Sequence, residues 1–189
     1  ERMESTLVLR EAYGVVAAIT PWNFPLHQIT AKIAPALVAG CTVVLKPSEI
    51  TPLDAYLLTE IIQEADLPPG VFNLVCGTGT QVGEAMASHP EVDLLSFTGS
   101  TRAGLRVAAL GAQTLKKVTL ELGGKSANIV LDDANLAEIL PTAIKQCFAN
   151  TGQVCAGLSR LLVPKHLLAQ VEALVLDNLA QWVVGDPLD

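Results

Sequence analysis

The 189-residue sequence predicts an α/β fold built on a parallel sheet that is buried on both faces. Short apolar runs alternate with segments of helical periodicity at spacings of a few tens of residues, which favours βαβ units. Hydrophobic residues make up 50% of the chain and charged residues only 16%, whereas a soluble domain carries about 25% charged residues. This composition excludes a disordered chain and is typical of strands covered by helices on both sides.

The first predicted strand and helix lead directly into a second strand. Residues 15–20 form an apolar, β-branched run that ends at Pro21. Apolar residues then recur at helical spacing over residues 25–39 and stop at Gly40, a residue suited to the end of a helix. Residues 42–45 predict the second strand.

The second predicted helix has a clear start signal. Thr51 is a capping residue, Pro52 suits the first helical position, and Asp54 places an acid in the first turn. We expect this helix to run to about Ala65. Further strands are predicted at residues 71–75, 94–97, 118–122, 127–131 and 160–163, and further helices at residues 81–88, 101–110, 136–148 and 167–183.

A domain boundary is predicted at the pair Gly123-Gly124, after which the alternation of strand and helix starts again. The chain is therefore expected to contain one domain, residues 1–122, and the start of a second, residues 123–189. Because 189 residues are few for two domains, we expect them to belong to a longer polypeptide.

Charge and composition exclude several classes of function. The formal net charge of −7 argues against a broad nucleic-acid surface. No window offers the roughly 18 consecutive apolar residues of a membrane span, and no basic and apolar leader precedes the first strand. The four cysteines include no C-x-x-C pair, so we expect no metal site. Cys41 and Cys76 are predicted to be buried, and a reducing compartment, by default the cytoplasm, is expected.

Ligands of open parallel sheets bind at the carboxyl ends of the strands, so the segments that follow the predicted strands are candidate sites. Four such segments are unusual in composition, at residues 21–25, 46–49, 77–83 and 98–104. The glycine turn that contains Gly79 and Gly83 is either a phosphate-binding turn or a plain tight turn. Gly99 and Ser100 open a predicted helix, where they either bind pyrophosphate or form an ordinary cap.

Polar residues in two of these segments also have two interpretations each. Lys46 and Glu49 are either a solvated surface pair or ligands of ribose hydroxyls. Asn23, beside Trp22 and between two prolines, is either an oxyanion donor or a turn-capping residue.

Two further residues are candidates for catalysis. Cys155 lies in a loop of small residues and is either a nucleophile or an inert thiol, whereas Cys147 lies on a predicted helix and is interpreted as inert. Glu121 ends an apolar strand. Burial there would raise its pKa and suit a general base, and a structural ion pair is the alternative.

Five motifs taken together resemble the NAD(P)-dependent aldehyde dehydrogenase superfamily. They are Pro-Trp-Asn-Phe-Pro at residues 21–25, Lys-Pro-Ser-Glu at 46–49, Phe-Thr-Gly-Ser-Thr at 97–101, Glu-Leu-Gly-Gly-Lys at 121–125 and Gly-Gln-Val-Cys at 152–155. The resemblance extends over essentially the whole chain. It implies a Rossmann-like parallel sheet with flanking helices in residues 1–122, as the dinucleotide-binding domain, followed by the start of an α/β catalytic domain in residues 123–189.

The resemblance implies catalytic roles for three positions. Cys155 matches the nucleophile, Glu121 the general base, and Asn23 an oxyanion donor that acts with the Cys155 backbone N–H. The expected reaction is the oxidation of a small-molecule aldehyde to a carboxylic acid through a thiohemiacetal and a thioester. A coenzyme A-acylating enzyme of the same superfamily and a non-catalytic nucleotide-binding module are the alternatives.

The resemblance also implies a dinucleotide site. The matching cofactor positions are Trp22, Lys46, Glu49, Gly99, Ser100 and Leu122, with Gly79 and Gly83 in the glycine turn. Glu49 favours NAD over NADP, because a carboxylate at that place repels a 2′-phosphate. We expect the parent enzyme to be a homo-oligomer with no membrane or nucleic-acid partner, and these 189 residues alone to be poorly active.

Overall fold

The computed structural model describes residues 2, 3, 5–186 and 188. The internal contacts of the chain divide it into two units, Glu1–Leu122 and Gly123–Asp189. The first unit opens with a short antiparallel hairpin, β1 (Arg2–Met3) and β2 (Thr6–Leu7), which the sequence analysis did not predict.

The core of the first unit is a five-stranded parallel sheet, which confirms the predicted fold class. Its strands are β3 (Val15–Ile19), β4 (Thr42–Lys46), β5 (Phe72–Leu74), β6 (Leu94–Gly99) and β7 (Lys117–Leu122), in the spatial order β5-β4-β3-β6-β7. Strand β3 pairs with both β4 and β6, so the strand order reverses at the β3–β6 pair. This reversal is the topological switch point, where doubly wound folds bind ligands.

Helices cover both faces of this sheet. They are α1 (Pro25–Val38), α2 (Leu53–Glu64), α3 (Glu84–Ser88) and α4 (Thr101–Ala112). Because successive side chains of a strand point to opposite faces, Val16 and Ala18 pack against α1, whereas Ala17 and Ile19 pack on the side of α3 and α4. This double burial explains why the strands read as continuous apolar runs.

In the first unit, one local prediction was wrong and a second was correct only in part. Helix α2 starts at Leu53, so Pro52 precedes the first helical residue and Thr51 forms no cap. The Thr51 hydroxyl instead donates to the Trp22 carbonyl at 3.4 Å. The helix predicted at residues 81–88 is confirmed over residues 84–88, which form α3, but its start belongs to a π-helical turn, Gly79–Gly83.

The second unit contains two parallel strands and two helices. Strand β8 (Ala127–Ile129) pairs with β9 (Arg160–Leu162), and helices α5 (Leu136–Phe148) and α6 (Leu168–Leu179) follow the two strands. Leu136 and Leu140 of α5 form a core with Val130 and Val171. Helix α6 ends before the predicted residue 183. Among the described residues, no helix is both long and apolar enough to cross a membrane.

Candidate active site

Most of the predicted site residues lie along one edge of the five-stranded sheet. The strands are parallel, so their carboxyl ends meet at the same edge. The residues placed there are Trp22 and Asn23 after β3, Lys46 and Glu49 at β4, Gly79 and Gly83 after β5, Gly99 and Ser100 at β6, and Glu121 and Leu122 at β7. Cys155 belongs to the second unit.

Lys46 is a buried cation whose donors are already used within the protein. Its side chain is only 3% exposed. The Lys46 Nζ donates to the Pro47 carbonyl at 2.7 Å and to the Gly77 carbonyl at 2.9 Å, and it lies 3.4 Å from Glu49 Oε2. The alternative of a solvated surface pair is therefore wrong for Lys46. Its ammonium joins the loop after β4 to the loop after β5.

Glu49 is held as an oriented, ionised carboxylate. Its side chain is 52% exposed. Hydrogen bonding from its own backbone N–H, together with the Lys46 charge and the Gly79 backbone N–H, lowers the pKa of Glu49 below its ordinary value. The carboxylate therefore stays charged to a lower pH than an ordinary Glu, and it is half-exposed beside the glycine turn.

The glycine turn after β5 combines an open position with a packed one. A Cβ at Gly79 would meet no atom within 4 Å, so a ligand can approach this backbone closely. A Cβ at Gly83 would lie 3.9 Å from the Lys46 methylenes, so Gly83 packs on that side chain. The Thr78 hydroxyl accepts from the Gln81 N–H at 3.3 Å and caps the turn.

The start of helix α4 has the geometry of an ordinary cap. Ser100 precedes the helix in an extended conformation, and its Oγ accepts from the Ala103 N–H at 3.2 Å. A Cβ at Gly99 would lie 2.6 Å from the Phe97 ring, so a larger residue cannot replace Gly99 without displacing a buried side chain. The remaining backbone N–H groups of this first turn are suited to an anion.

The loop between β3 and α1 carries the Trp22-Asn23 pair. Trp22 is 41% exposed, and Asn23 is half-buried. The loop is held at one end by Pro25, which occupies the first turn of α1, and at the other by the bond from Thr51 to the Trp22 carbonyl. This loop therefore presents Asn23 from a restrained backbone.

Glu121 is exposed rather than buried, so the burial considered for it is not found. Its charge acts on Lys32 of α1, a residue that the sequence analysis missed. Burial lowers the pKa of Lys32, and the negative charge of Glu121 partly opposes that shift. The Lys32 Nζ donates to Ser96 Oγ at 3.1 Å. The available signal was that Lys32 is the only lysine in an otherwise uncharged helix.

Leu122 is half-buried, next to Glu121 in the same strand. A Cβ at Gly104 would lie 2.6 Å from Leu122 Cδ2, which shows how closely helix α4 packs on the end of β7.

Cys155 is an exposed thiol in the second unit. The residues that precede it, Asn150, Thr151 and Gly152, have φ angles of 48°, 59° and 76°, a left-handed turn that is unfavourable for the two non-glycine residues. The Cys155 carbonyl lies 3.6 Å from the position of a Cβ at Gly124, an ordinary van der Waals distance, so this loop packs beside Gly124.

The other cysteines differ in exposure. Cys41 is buried as predicted, but the prediction that Cys76 is buried was wrong. Cys76 follows β5, an edge strand, and its thiol hydrogen-bonds the Tyr56 side chain, which raises the pKa of Tyr56. Cys147 is half-buried at the end of α5.

Comparisons with known proteins agree with this architecture. A 3-succinoylsemialdehyde-pyridine dehydrogenase from a Pseudomonas species is 57% identical over 188 residues, which cover 100% of this chain and 39% of that protein. The crystal structure of a cysteine-to-alanine mutant of aldehyde dehydrogenase C from Pseudomonas syringae, with NAD+ and octanal, matches with a TM-score of 0.92 and 56% identity over 95% of this chain and 37% of that one. An NADP-dependent enzyme from E. coli matches with a TM-score of 0.91 and 44% identity over 95% and 37% of the two chains.

The strand order, with its reversal at β3–β6 and its glycine turns at the carboxyl edge, defines the first unit as a doubly wound, Rossmann-like sheet. The chain belongs to the aldehyde dehydrogenase family, whose model matches residues 1–189. It spans about two-fifths of the length of the relatives it matches.

Proposed function

We propose that this chain is the dinucleotide-binding and nucleophile-carrying part of an enzyme that oxidises an aldehyde to a carboxylic acid with NAD. The observation that carries the proposal is the oriented Glu49 carboxylate beside the open backbone of Gly79, at the switch edge of a sheet in a chain of this family. We assign residues 1–122 as the dinucleotide-binding domain and residues 123–189 as the start of the catalytic domain.

The residues at the sheet edge fit a dinucleotide. A ribose diol donates to a carboxylate such as Glu49, whose lowered pKa extends its ionised form to a more acid pH. The first turn of α4, behind Gly99 and Ser100, offers N–H groups to pyrophosphate. Trp22 and Leu122 supply apolar surface, and Lys46 orients Glu49 and the glycine turn. A carboxylate at Glu49 disfavours the 2′-phosphate of NADP, so NAD is the preferred cofactor and NADP the alternative.

The proposed chemistry starts at Cys155. Its thiolate attacks the aldehyde carbon, the C–S bond forms, and the carbonyl electron pair moves to oxygen as an alkoxide. The Asn23 amide and the Cys155 backbone N–H donate to this oxyanion. Bound NAD would supply the hydride acceptor. Loss of a hydride from the same carbon lets the alkoxide electron pair re-form the carbonyl, and the carbon stays bonded to Cys155 Sγ as a thioester.

Glu121 completes the proposed reaction as the general base. Its carboxylate takes a proton from a water molecule, the water oxygen attacks the thioester carbon, and the C–S bond breaks with return of the thiolate. The product is the free carboxylic acid. Glu121 is exposed, so water can reach it.

The substrate is a small-molecule aldehyde, and the whole protein is a homo-oligomer. The four free cysteines, two of them exposed, suit a reducing compartment such as the cytoplasm.

Calorimetric titration of NAD and NADP into the purified chain tests the cofactor assignment. We expect saturable NAD binding that weakens in Glu49→Gln. The same change should improve NADP affinity relative to NAD by about tenfold, or ~1.4 kcal/mol. Glu60→Gln, an exposed carboxylate on α2, is the matched control. Equal affinities of the unmodified chain for NAD and NADP would contradict the proposed preference for NAD.

Turnover of aldehydes by the whole protein tests the catalytic roles. Cys155→Ser should lose at least about 10³-fold in kcat, since a hydroxyl replaces the attacking thiolate, whereas the exposed control Cys76→Ser should retain activity.

Glu121→Gln should form the thioester in a burst and then hydrolyse it slowly. Release of an acyl-coenzyme A instead of free acid would refute the hydrolytic role. Four equally unreactive thiols in a labelling experiment would favour a non-catalytic module.

A further inference from the structure

Two buried hydroxyl groups lie at the switch point of the sheet. Thr20 is 4% exposed and Thr98 is 5% exposed, and neither side-chain oxygen has a hydrogen-bond partner among the described residues. The other buried polar residues of this edge, Lys46 and Ser48, are hydrogen-bonded. An unpaired buried hydroxyl is unfavourable, so two of them side by side require an explanation.

The register of the sheet places these hydroxyl groups next to each other. Ile19, the last residue of β3, pairs with Phe97 of β6, and Thr20 directly continues the ladder because its N–H bonds the Lys46 carbonyl at 3.1 Å. Thr20 and Thr98 are therefore the next residues along neighbouring strand paths, which lie about 4.8 Å apart. Val16 and Ala18 pack on the α1 side of the sheet, and alternation puts Thr20 on that same side.

Thr98 shares this face. Ser96, two residues earlier in β6, bonds Lys32 of α1, and alternation places Thr98 on the same side as Ser96. Phe97 packs into the opposite core. Both hydroxyl groups therefore belong to one polar row on the α1 side of the sheet.

Glu121 continues this row. It is the register partner of Thr98 on β7, and Leu120 and Leu122 on either side of it pack on the opposite face. The row from Thr20 through Thr98 to Glu121 therefore offers two hydroxyl groups and one carboxylate across three adjacent strands.

We propose that Thr20 and Thr98 bind one water molecule between the carboxyl ends of β3 and β6, with the Glu121 carboxylate as its third partner. A buried water needs two to four polar partners, and these groups supply the donors and acceptors for three hydrogen bonds. The water satisfies both hydroxyl groups and makes Thr20 a positioning residue for Glu121. The positioning role of Thr20 rests on the proposed role of Glu121 as general base.

A double-mutant cycle in the 189-residue chain tests the water site independently of catalysis. Valine is nearly isosteric with threonine, so Thr20→Val and Thr98→Val remove only the hydroxyl groups. We expect each single variant to lower the Tm by about 2–4 °C and the double variant to lower it by clearly less than the sum, because both hydroxyl groups serve one water. Thr119→Val is the control for a hydroxyl that already has a protein partner, since it bonds the Leu95 carbonyl at 3.3 Å. Its effect should add to that of either variant.

Additive effects would overturn the proposal, because two hydroxyl groups with separate partners contribute independently. An unchanged or raised Tm in the single variants would also overturn it, because removal of a hydroxyl that binds no water costs no hydrogen bond. A high-resolution crystal structure of the chain provides a second measurement if a variant fails to fold. It should show one water within hydrogen-bonding distance of both Oγ1 atoms, and protein partners for the two hydroxyl groups would refute the site.

The positioning role has its own readout in the whole protein. Thr20→Val should shift the pH dependence of kcat with little change in KM, and Thr20→Ser should restore the original profile. If the pH dependence of kcat does not shift while the double-mutant cycle is non-additive, the water site stands but the positioning role of Thr20 is refuted. If aldehydes are not oxidised at all, the proposed function fails while the stability cycle still decides the water site.

Discussion

Replacement of Lys46 by methionine tests whether this buried cation is a structural tie between two loops. Methionine retains the apolar stem that packs on Gly83 but removes the bonds to the Pro47 and Gly77 carbonyls at 2.7 and 2.9 Å. A hydrogen bond to a charged group contributes about 1.5–3 kcal/mol. Loss of two such bonds is partly offset because the variant no longer buries a charge. We expect Lys46→Met to lower the free energy of unfolding by about 2–3 kcal/mol.

The assay is urea unfolding of the 189-residue chain followed by tryptophan fluorescence. The sequence has two tryptophans, so a Trp182→Phe background leaves Trp22 as a probe of the first unit. Lys117→Met, at an exposed lysine of β7, is the control and should change the stability by less than about 0.5 kcal/mol. If Lys46→Met is equally neutral, the two carbonyl bonds give no net stabilisation, and the interpretation of Lys46 as a structural tie between the two loops is refuted.

Three further predictions concern packing and pH dependence. Gly111→Ala should destabilise the first unit by about 1–3 kcal/mol despite the better helix propensity of alanine, because the new Cβ would lie 2.8 Å from Val118 and 2.9 Å from Leu95; an unchanged urea midpoint would contradict this packing. The pKa of Lys32 is lowered in the folded chain from 10.5, so stability should rise with pH through the folded pKa towards 10.5, and a series of urea titrations should show no such rise in Lys32→Met. The pKa of Glu49 is lowered from 4.5, so the stabilising contribution of its carboxylate is present above pH 4.5 and is lost as pH falls through the folded pKa. The unfolding midpoints of Glu49→Gln and the unmodified chain should therefore converge in acid, and a constant difference down to the lowest pH would refute this linkage.

The sequence by itself determined the order and type of the main elements. Apolar runs and helical spacing are local properties of the backbone, so the strands that contain residues 15–19 and 42–46 and the helix Pro25–Val38 were predicted within one or two residues. The Ser100 cap was likewise a local signal, since the hydroxyl reaches an N–H only three residues away. The carboxyl-edge location of the candidate residues followed from the same alternation.

Only the tertiary structure decided how these elements pair and which side chains are buried. Strand order and register join residues far apart in sequence, so no local pattern could place Thr20 beside Thr98 or Lys46 against Gly77. Exposure also depends on position in the sheet. Cys76 is exposed because it follows an edge strand, although its neighbours resemble those of a core residue.

The same reason explains the electrostatics of the candidate site. Charge interactions act through space and depend on burial. The influence of Glu121 on Lys32 therefore arises only when α1 packs on the face of the sheet on which the Glu121 side chain lies. The residue types were visible in the sequence, but their pKa shifts and hydrogen-bond partners are properties of the folded chain.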